Sequence, residues 1–308
     1  MAEFCSCDTG IIDFGQPPCI DSPGRIARII YTPYRNSAGE INSIAATDVI
    51  DQAYIDDKLN TSDLSERWYI TPVINNLTGA RETPVTQTID NFTLNVTQGA
   101  RTFAGTFYDR VADPVFLGAL ESLECQDVGA FYITVDGSIE GICDHMTQTL
   151  NPIRIKSGTM YSIWNDATAA EVRNIQHQWQ WEETQRDADF SYIPPSSIGV
   201  DMLALSSTAN VQVYDLQNVT NTGFDFKMSF SYGGCFDADK IVYTAADATG
   251  FTGAMEDGTP VTFDTVVEST TVPGQYTATI SGATTGNLIW GYKVNGFETQ
   301  KSIVTPIP

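Results

Sequence analysis

Asn174-Ile-Gln-His-Gln-Trp-Gln-Trp181 alternates apolar or aromatic residues with amides over eight positions. Ile175, His177, Trp179 and Trp181 fall on one side; Asn174, Gln176, Gln178 and Gln180 fall on the other. A period of two belongs to a strand with one covered face, because helical spacing would scatter the aromatics around the axis. The same alternation runs through Phe224, Phe226, Met228, Phe230 and Tyr232. The chain therefore reads as mainly β.

Outward from these strands, three regions are expected. Residues 1–45 read as an extended N-terminal arm, punctuated by Pro17, Pro18, Pro23 and Pro33, with one strand-like piece at 25–31. Such an arm either reaches a neighbouring subunit or folds back on its own domain. Residues 46–205 read as a β-sandwich assembly domain with strands at 93–96, 101–108, 130–135 and 138–142, the last two joined by an Asp136-Gly137 turn. It carries two short helices. One lies near 47–59, with Thr47 as N-cap and Asp48 and Asp51 near its positive end. The other spans 113–123, where Asp113 caps, Pro114 occupies the first helical position, and Val115, Phe116, Leu120 and Leu123 recur at helical spacing. Pro194-Pro195-Ser196-Ser197 breaks the pattern, and residues 209–308 follow with short strands separated by Asp257-Gly258, Pro273-Gly274 and Asn295-Gly296. That spacing predicts an immunoglobulin-like β-sandwich lacking the Cys–Trp–Cys signature.

Composition narrows the partners. With 38 acids against 16 bases the net charge is -22, which excludes unaided binding to a phosphate backbone. A like-charged wall does suit a passage through which DNA slides. Charged residues are only 18%, below the ordinary ~25%, so Thr, Ser, Asn and Gln must cover much of the surface. The opening Met1-Ala2-Glu3-Phe4 has no basic or apolar signal region, and no stretch approaches the ~18–20 apolar residues of a membrane span. Synthesis and retention in a cytoplasm, with no membrane partner, is the expectation. The six cysteines then read as free thiols.

Chemistry is hard to assemble from these residues. There is no Gly-x-Ser-x-Gly elbow, and only His145 and His177 are present as bases. His177, on the aromatic face of its strand, reads as a packed residue. No phosphate-cradling glycine loop occurs, and no cofactor is expected. Cys5-x-Cys7 with Cys19, or Cys143-x-His145, offers metal ligands without the paired Cys-x-x-Cys spacing, and buried thiols are the competing reading. The carboxylate pairs Glu182-Glu183, Asp187 with Asp189, and Asp237 with Asp239 match no twelve-residue calcium loop, and in so acidic a chain they read as solvated turns. No enzyme is expected. Strands with few lysines are those whose edges are meant to pair, and Arg101, Phe103, Phe107, Ile175, His177, Trp179 and Trp181 are the interface candidates.

From Phe92 to Ile193 the order is a strand pair, the Asp113–Leu123 helix, the Phe131–Ile142 hairpin and the Asn174–Trp181 strand. This order resembles the N-terminal domain of the major tail proteins of long-tailed bacteriophages, and the module after about residue 209 is similar to their C-terminal decoration. The resemblance implies a virion structural protein, made in the host cytoplasm, whose sheets join between subunits in rings stacked around a DNA-conducting channel. Its partners would be copies of itself and other virion proteins, with viral DNA only as passing cargo. It implies no catalytic residues. A capsid auxiliary, decoration or head-fibre-anchor protein is the alternative, followed by a carbohydrate-binding adhesin using exposed aromatics, and last a hydrolase using Glu182 or Asp187.

Overall fold

A computed structural model of the chain describes residues 24–308 except 62, 91, 109–112, 206–208, 234–239, 295–296 and 300–301. Within them the chain is mainly β and buries its apolar side chains in two separate units. Two clusters draw only on residues up to Leu205; the third draws only on residues from Val211 onward.

The first unit contains β1 (Ile26–Pro33), α1 (Gln52–Asn60), β2 (Asn75–Arg81), β3 (Val85–Ile89), β4 (Phe92–Thr97), β5 (Arg101–Tyr108) and α2 (Pro114–Leu123). It continues with β6 (Val128–Thr134), β7 (Ile139–Asp144), β8 (Tyr161–Asn165), β9 (Asn174–Gln180) and β10 (Phe190–Ile193). β1, β6 and β7 form the middle of one antiparallel sheet, whose margins at Ile44–Ala45 and Tyr69–Ile70 are only two residues long. A second sheet has the order β8-β9-β5-β2.

The two sheets pack face to face. Ile29 and Tyr31 of β1, with Ala130 and Tyr132 of β6, meet Phe103, Phe107, Ile175 and Trp179. Their chain neighbours Ile30, Phe131 and Ile133 point the opposite way, onto Ile55 and Leu59 of α1 and onto Met202 and Leu205. Covering on both faces explains why β6 is buried at every position and β1 at all but its ends, with little alternation in either sequence. Residues 26–33 are therefore a central strand, which corrects their expected placement in an extended arm. The earlier residues, including Cys5, Cys7 and Cys19, lie outside those described.

Both helices start on aspartates. Asp113 accepts from the Phe116 backbone N–H at 2.8 Å, with Pro114 at the start of the helix as its fixed φ favours. The first helix begins later than its sequence suggested. Asp51, not Thr47, is its cap and accepts from the Tyr54 N–H at 2.9 Å. Residues 47–50 are drawn off by tertiary pairing: Ile50 bridges to Ile198.

The second unit consists of β11 (Ala209–Thr220), β12 (Gly223–Gly233), β13 (Phe251–Met255), β14 (Pro260–Glu268), β15 (Gln275–Ser281), β16 (Gly286–Val294), β17 (Phe297–Thr299) and β18 (Ile303–Ile307), with a short strand at Lys240–Val242. Its pairing runs β11-β17-β16-β13-β14-β15-β12 and returns from β12 to β11. The ladder thus closes on itself into a barrel, where two open sheets were expected. Phe224, Phe226, Tyr276, Trp290 and Tyr292 fill its interior. Closure joins the two margins that an open sandwich would leave, while β18 and Lys240–Val242 each attach to the circuit through one strand.

Candidate functional site

Six of the seven interface candidates converge, but inward. Phe103, Phe107, Ile175, His177, Trp179 and Trp181 are at most 3% exposed and lie between the two sheets of their own subunit. They cannot meet a neighbour, which corrects the expectation. Period-two alternation identifies a covered face without saying whether the cover belongs to the same chain. Arg101 alone reaches the surface, half-buried above the Trp181 ring at 4.0 Å.

His177 sits within a satisfied polar chain. The Trp179 indole donates to the Tyr31 hydroxyl oxygen at 3.0 Å, and that hydroxyl lies 2.7 Å from His177 Nε2. Tyr31 therefore donates to Nε2, leaving Nδ1 as the protonated nitrogen that donates to Ser162 Oγ at 2.9 Å. Burial lowers the imidazole pKa to about 4. This histidine is neutral and packed, a structural role.

The side chains on the outer face of the β8-β9-β5-β2 sheet have a different character. Thr102, Ala104 and Thr106 of β5 lie beside Gln176, Gln178 and Gln180 of β9. Tyr161 and Ile163 of β8 continue that face, 41% and 46% exposed. None of these residues is charged, in a chain carrying -22.

Beyond the end of β2 and β5 the chain extends as the β3–β4 hairpin, a two-stranded sheet of its own. Its register pairs Ile89 with Phe92 and Gln87 with Leu94, placing these residues on one face with Val85. Thr86, Thr88 and Thr93 occupy the other. Val85, Ile89, Phe92, Leu94 and Val96 are 49–72% exposed, although a protein of this size normally covers such side chains. Asp90, next to the turn, is the one charged residue between 85 and 97. Residue-by-residue hydrophobicity was the available sequence signal, since Val85-Thr-Gln-Thr-Ile89 and Phe92-Thr-Leu94 alternate; nothing local said the apolar side would be bare.

The root of the hairpin is an electrostatic clamp. Arg81 and Arg101 are direct cross-strand partners, a repulsive arrangement on its own. Asp187 accepts from both: from Arg81 at 2.6 and 3.1 Å, and from Arg101. The Arg81 contact, foremost, holds the Asp187 carboxyl below its ordinary range. Gly99 closes the same root, since a Cβ there would sit 2.0 Å from the Glu82 carbonyl oxygen. A cleft of about 460 Å³ opens beside it, bordered by Arg81, Arg101, Lys156, Arg186, Glu182 and Glu183. Its cations are matched within the chain, Arg81 and Arg101 by Asp187, Lys156 by Glu183 and Arg186 by Asp189. We expect Asp187→Asn to leave the cores intact while amide exchange across residues 81–101 speeds several-fold, more at low salt than at high. Unchanged exchange would show that the clamp does not restrain the hairpin.

Among the described residues no group of three or more His, Cys, Asp or Glu is placed to hold a metal. Cys143 Sγ lies 3.4 Å from His145 Nδ1 at the surface without a third ligand. Asp237 and Asp239 fall outside the described residues. No helix among those described is long and apolar enough to cross a membrane. No family model matches the chain, and no curated protein is similar to it in sequence.

Proposed function

We propose that this chain is a non-enzymatic structural subunit that assembles with copies of itself, and that it builds the tail tube of a bacteriophage virion. The single observation carrying the assembly reading is the β3–β4 hairpin, with its apolar face bare and its polar face made of threonines. A lone two-stranded hairpin is at best marginal in water, so five large apolar side chains on one face call for a cover. The tube itself rests on the resemblance of residues 92–193 to major tail proteins and on an acidic charge that lets DNA pass without sticking. Other virion proteins are then its further partners.

Self-association must overcome mutual repulsion between copies charged at -22, so it favours surfaces without acids and responds to salt. The apolar face of the hairpin, whose one acid Asp90 lies at the turn, and the outer face of the four-stranded sheet are such surfaces. The test is electron microscopy of the purified chain at rising concentration and at two salt levels. Rings or tubes, more abundant at high salt, are the expected result. A discrete monomer or trimer that binds emptied capsids would transfer the reading to a capsid auxiliary. A monomer that binds glycans would transfer it to an adhesin.

A further inference from the structure

We propose that the β3–β4 hairpin of one copy adds to the open β8 edge of a second copy, with its apolar face continuing the outward residues Tyr161 and Ile163. The inference rests on the self-assembly reading and supplies its donor and acceptor.

The acceptor is selected by elimination among the described strand margins. Two end strands of the larger sheet are two residues long, and its four-residue β10, joined through β7, runs into Pro194-Pro195. The ladder of the second unit closes into a circuit; the strands joined to it on one side are the three residues Lys240–Val242 and β18, where Pro306 offers no N–H. That leaves the two margins of the four-stranded sheet. β2 is irregular, with a register shift between Asn75 and Thr78 and a positive φ at Asn76, and it runs into the hairpin root of its own copy. β8 is regular over its five residues, Tyr161 to Asn165, and none of them is charged. Its backbone has no partner strand on the side away from β9 among the described residues. The α2 helix lies along β8, but its Phe116 and Leu120 join the core between the sheets, on the inward side with Trp164.

Donor and acceptor match in length and chemistry. β3 is five residues and β4 six, against five in β8. Strand addition supplies backbone hydrogen bonds, and the alternating side chains supply the specificity. The hairpin brings apolar Ile89, Phe92 and Leu94 to a margin where Tyr161 and Ile163 are bare. Side by side across the new pair, these side chains take part of one another's apolar surface from water.

Within one copy the hairpin is a separate two-stranded sheet and does not pair with its own β8 edge. In the order β8-β9-β5-β2 the hairpin leaves from the β2–β5 side, and β8 lies three strand spacings away, about 14 Å. Donor and acceptor thus occupy opposite sides of one sheet, so the contact is head to tail. Such contacts close into a reciprocal pair, close into larger rings or run on as filaments. A lipid bilayer is the other cover an apolar hairpin could seek. Strands of five and six residues fall short of the ~9–11 that a membrane crossing takes.

Two variants of the full chain separate donor from acceptor: Phe92→Glu with Leu94→Glu, and Tyr161→Glu with Ile163→Glu. All four side chains are exposed, so both variants should match the parent chain in thermal unfolding. Each alone is expected to remain monomeric at tenfold the concentration at which the parent assembles. Mixed one to one, they should form a heterodimer and go no further, because each contributes one intact half. As a measurement on the unsubstituted chain, assembly should slow amide exchange of residues 85–97 and 161–165 at least tenfold. Variants that assemble like the parent, a mixture that stays monomeric, or protection confined to other segments would overturn the inference while leaving self-assembly standing. A parent chain that never assembles would remove both, as would one that instead floats with phosphatidylcholine vesicles.

Discussion

Between pH 7.5 and 4.5 the first unit is expected to keep nearly constant stability, while His177→Gln and Glu140→Gln tilt that profile in opposite directions by roughly 2–3 kcal/mol. Two buried groups in the same unit produce this. His177 has its pKa lowered from 6.5 to about 4 by burial. The unfolded chain therefore binds a proton that the folded chain refuses, and stability falls as pH drops from about 6.5 toward 4. Glu140 has its carboxyl raised from 4.5 to about 7, first by burial and then by Asp136, with Arg101 opposing. Here the folded chain holds a proton that the unfolded chain has released, and stability falls as pH rises from about 4.5 toward 7.

As pH drops through the shared window, the loss at His177 is offset by the gain at Glu140. Glutamine in place of His177 leaves only the Glu140 slope, so that variant grows more stable on acidification. Glutamine in place of Glu140 leaves only the His177 slope, and that variant weakens. Urea unfolding at a series of pH values, followed by tryptophan fluorescence, reads both slopes. Four of the five tryptophans lie at or before residue 181, which weights the signal to the first unit. Parallel profiles for parent and variants would show that neither group is buried as described. The surrounding ionisable groups act lower in the range: Asp136 and Asp187 are held below their ordinary values and lose their contributions only in stronger acid.

The mainly β character was legible in the sequence wherever one face of a strand is covered. Asn174–Trp181, Phe224–Tyr232 and the Asp136-Gly137 turn, with Gly137 at φ 90°, carry local signals that the fold keeps. The Asp113 cap was equally local. What failed to show was tertiary. β1 and β6 are covered on both sides, so they carry no alternation to announce that they form the middle of the first unit. Thr47 was the expected cap, with Asp51 in the first turn; the pairing of Ile50 with Ile198 holds residues before 51 out of the helix. Barrel closure depends on β11 meeting both β12 and the distant β17, the latter in parallel register. No window of sequence contains that fact. The hairpin is the converse case. Its alternation was visible, but alternation predicts a cover, and none of the described residues supplies it.

Arg28→Met is expected to lower the stability of the first unit by about 3–4 kcal/mol, because it deprives several backbone carbonyls of a single shared donor. Arg28 lies on β1, 8% exposed, at a register shift against β6. Its Nε donates to the Thr71 carbonyl at 2.8 Å, and its Nη1 donates to Leu203 at 2.9 Å and Leu205 at 2.6 Å. One guanidinium thereby ties three stretches of chain distant in sequence, and the last of them carries Met202 and Leu205 into the cluster around α1. Burial lowers the Arg28 pKa, with Asp201 acting against that. The site thus accepts a desolvated charge in return for fixing residues 202–205, the last described residues before the second unit. Methionine matches the aliphatic stem and keeps the packing, so the loss isolates the hydrogen bonds. Lysine, with one ammonium in place of the planar fork, should fall between the two. Chemical denaturation should show the first transition displaced and the barrel transition unmoved, with amide exchange at 202–205 rising toward that of an open segment. Should the methionine variant unfold with the parent, residues 202–205 are held by their side chains alone, and Arg28 is a passenger in the core.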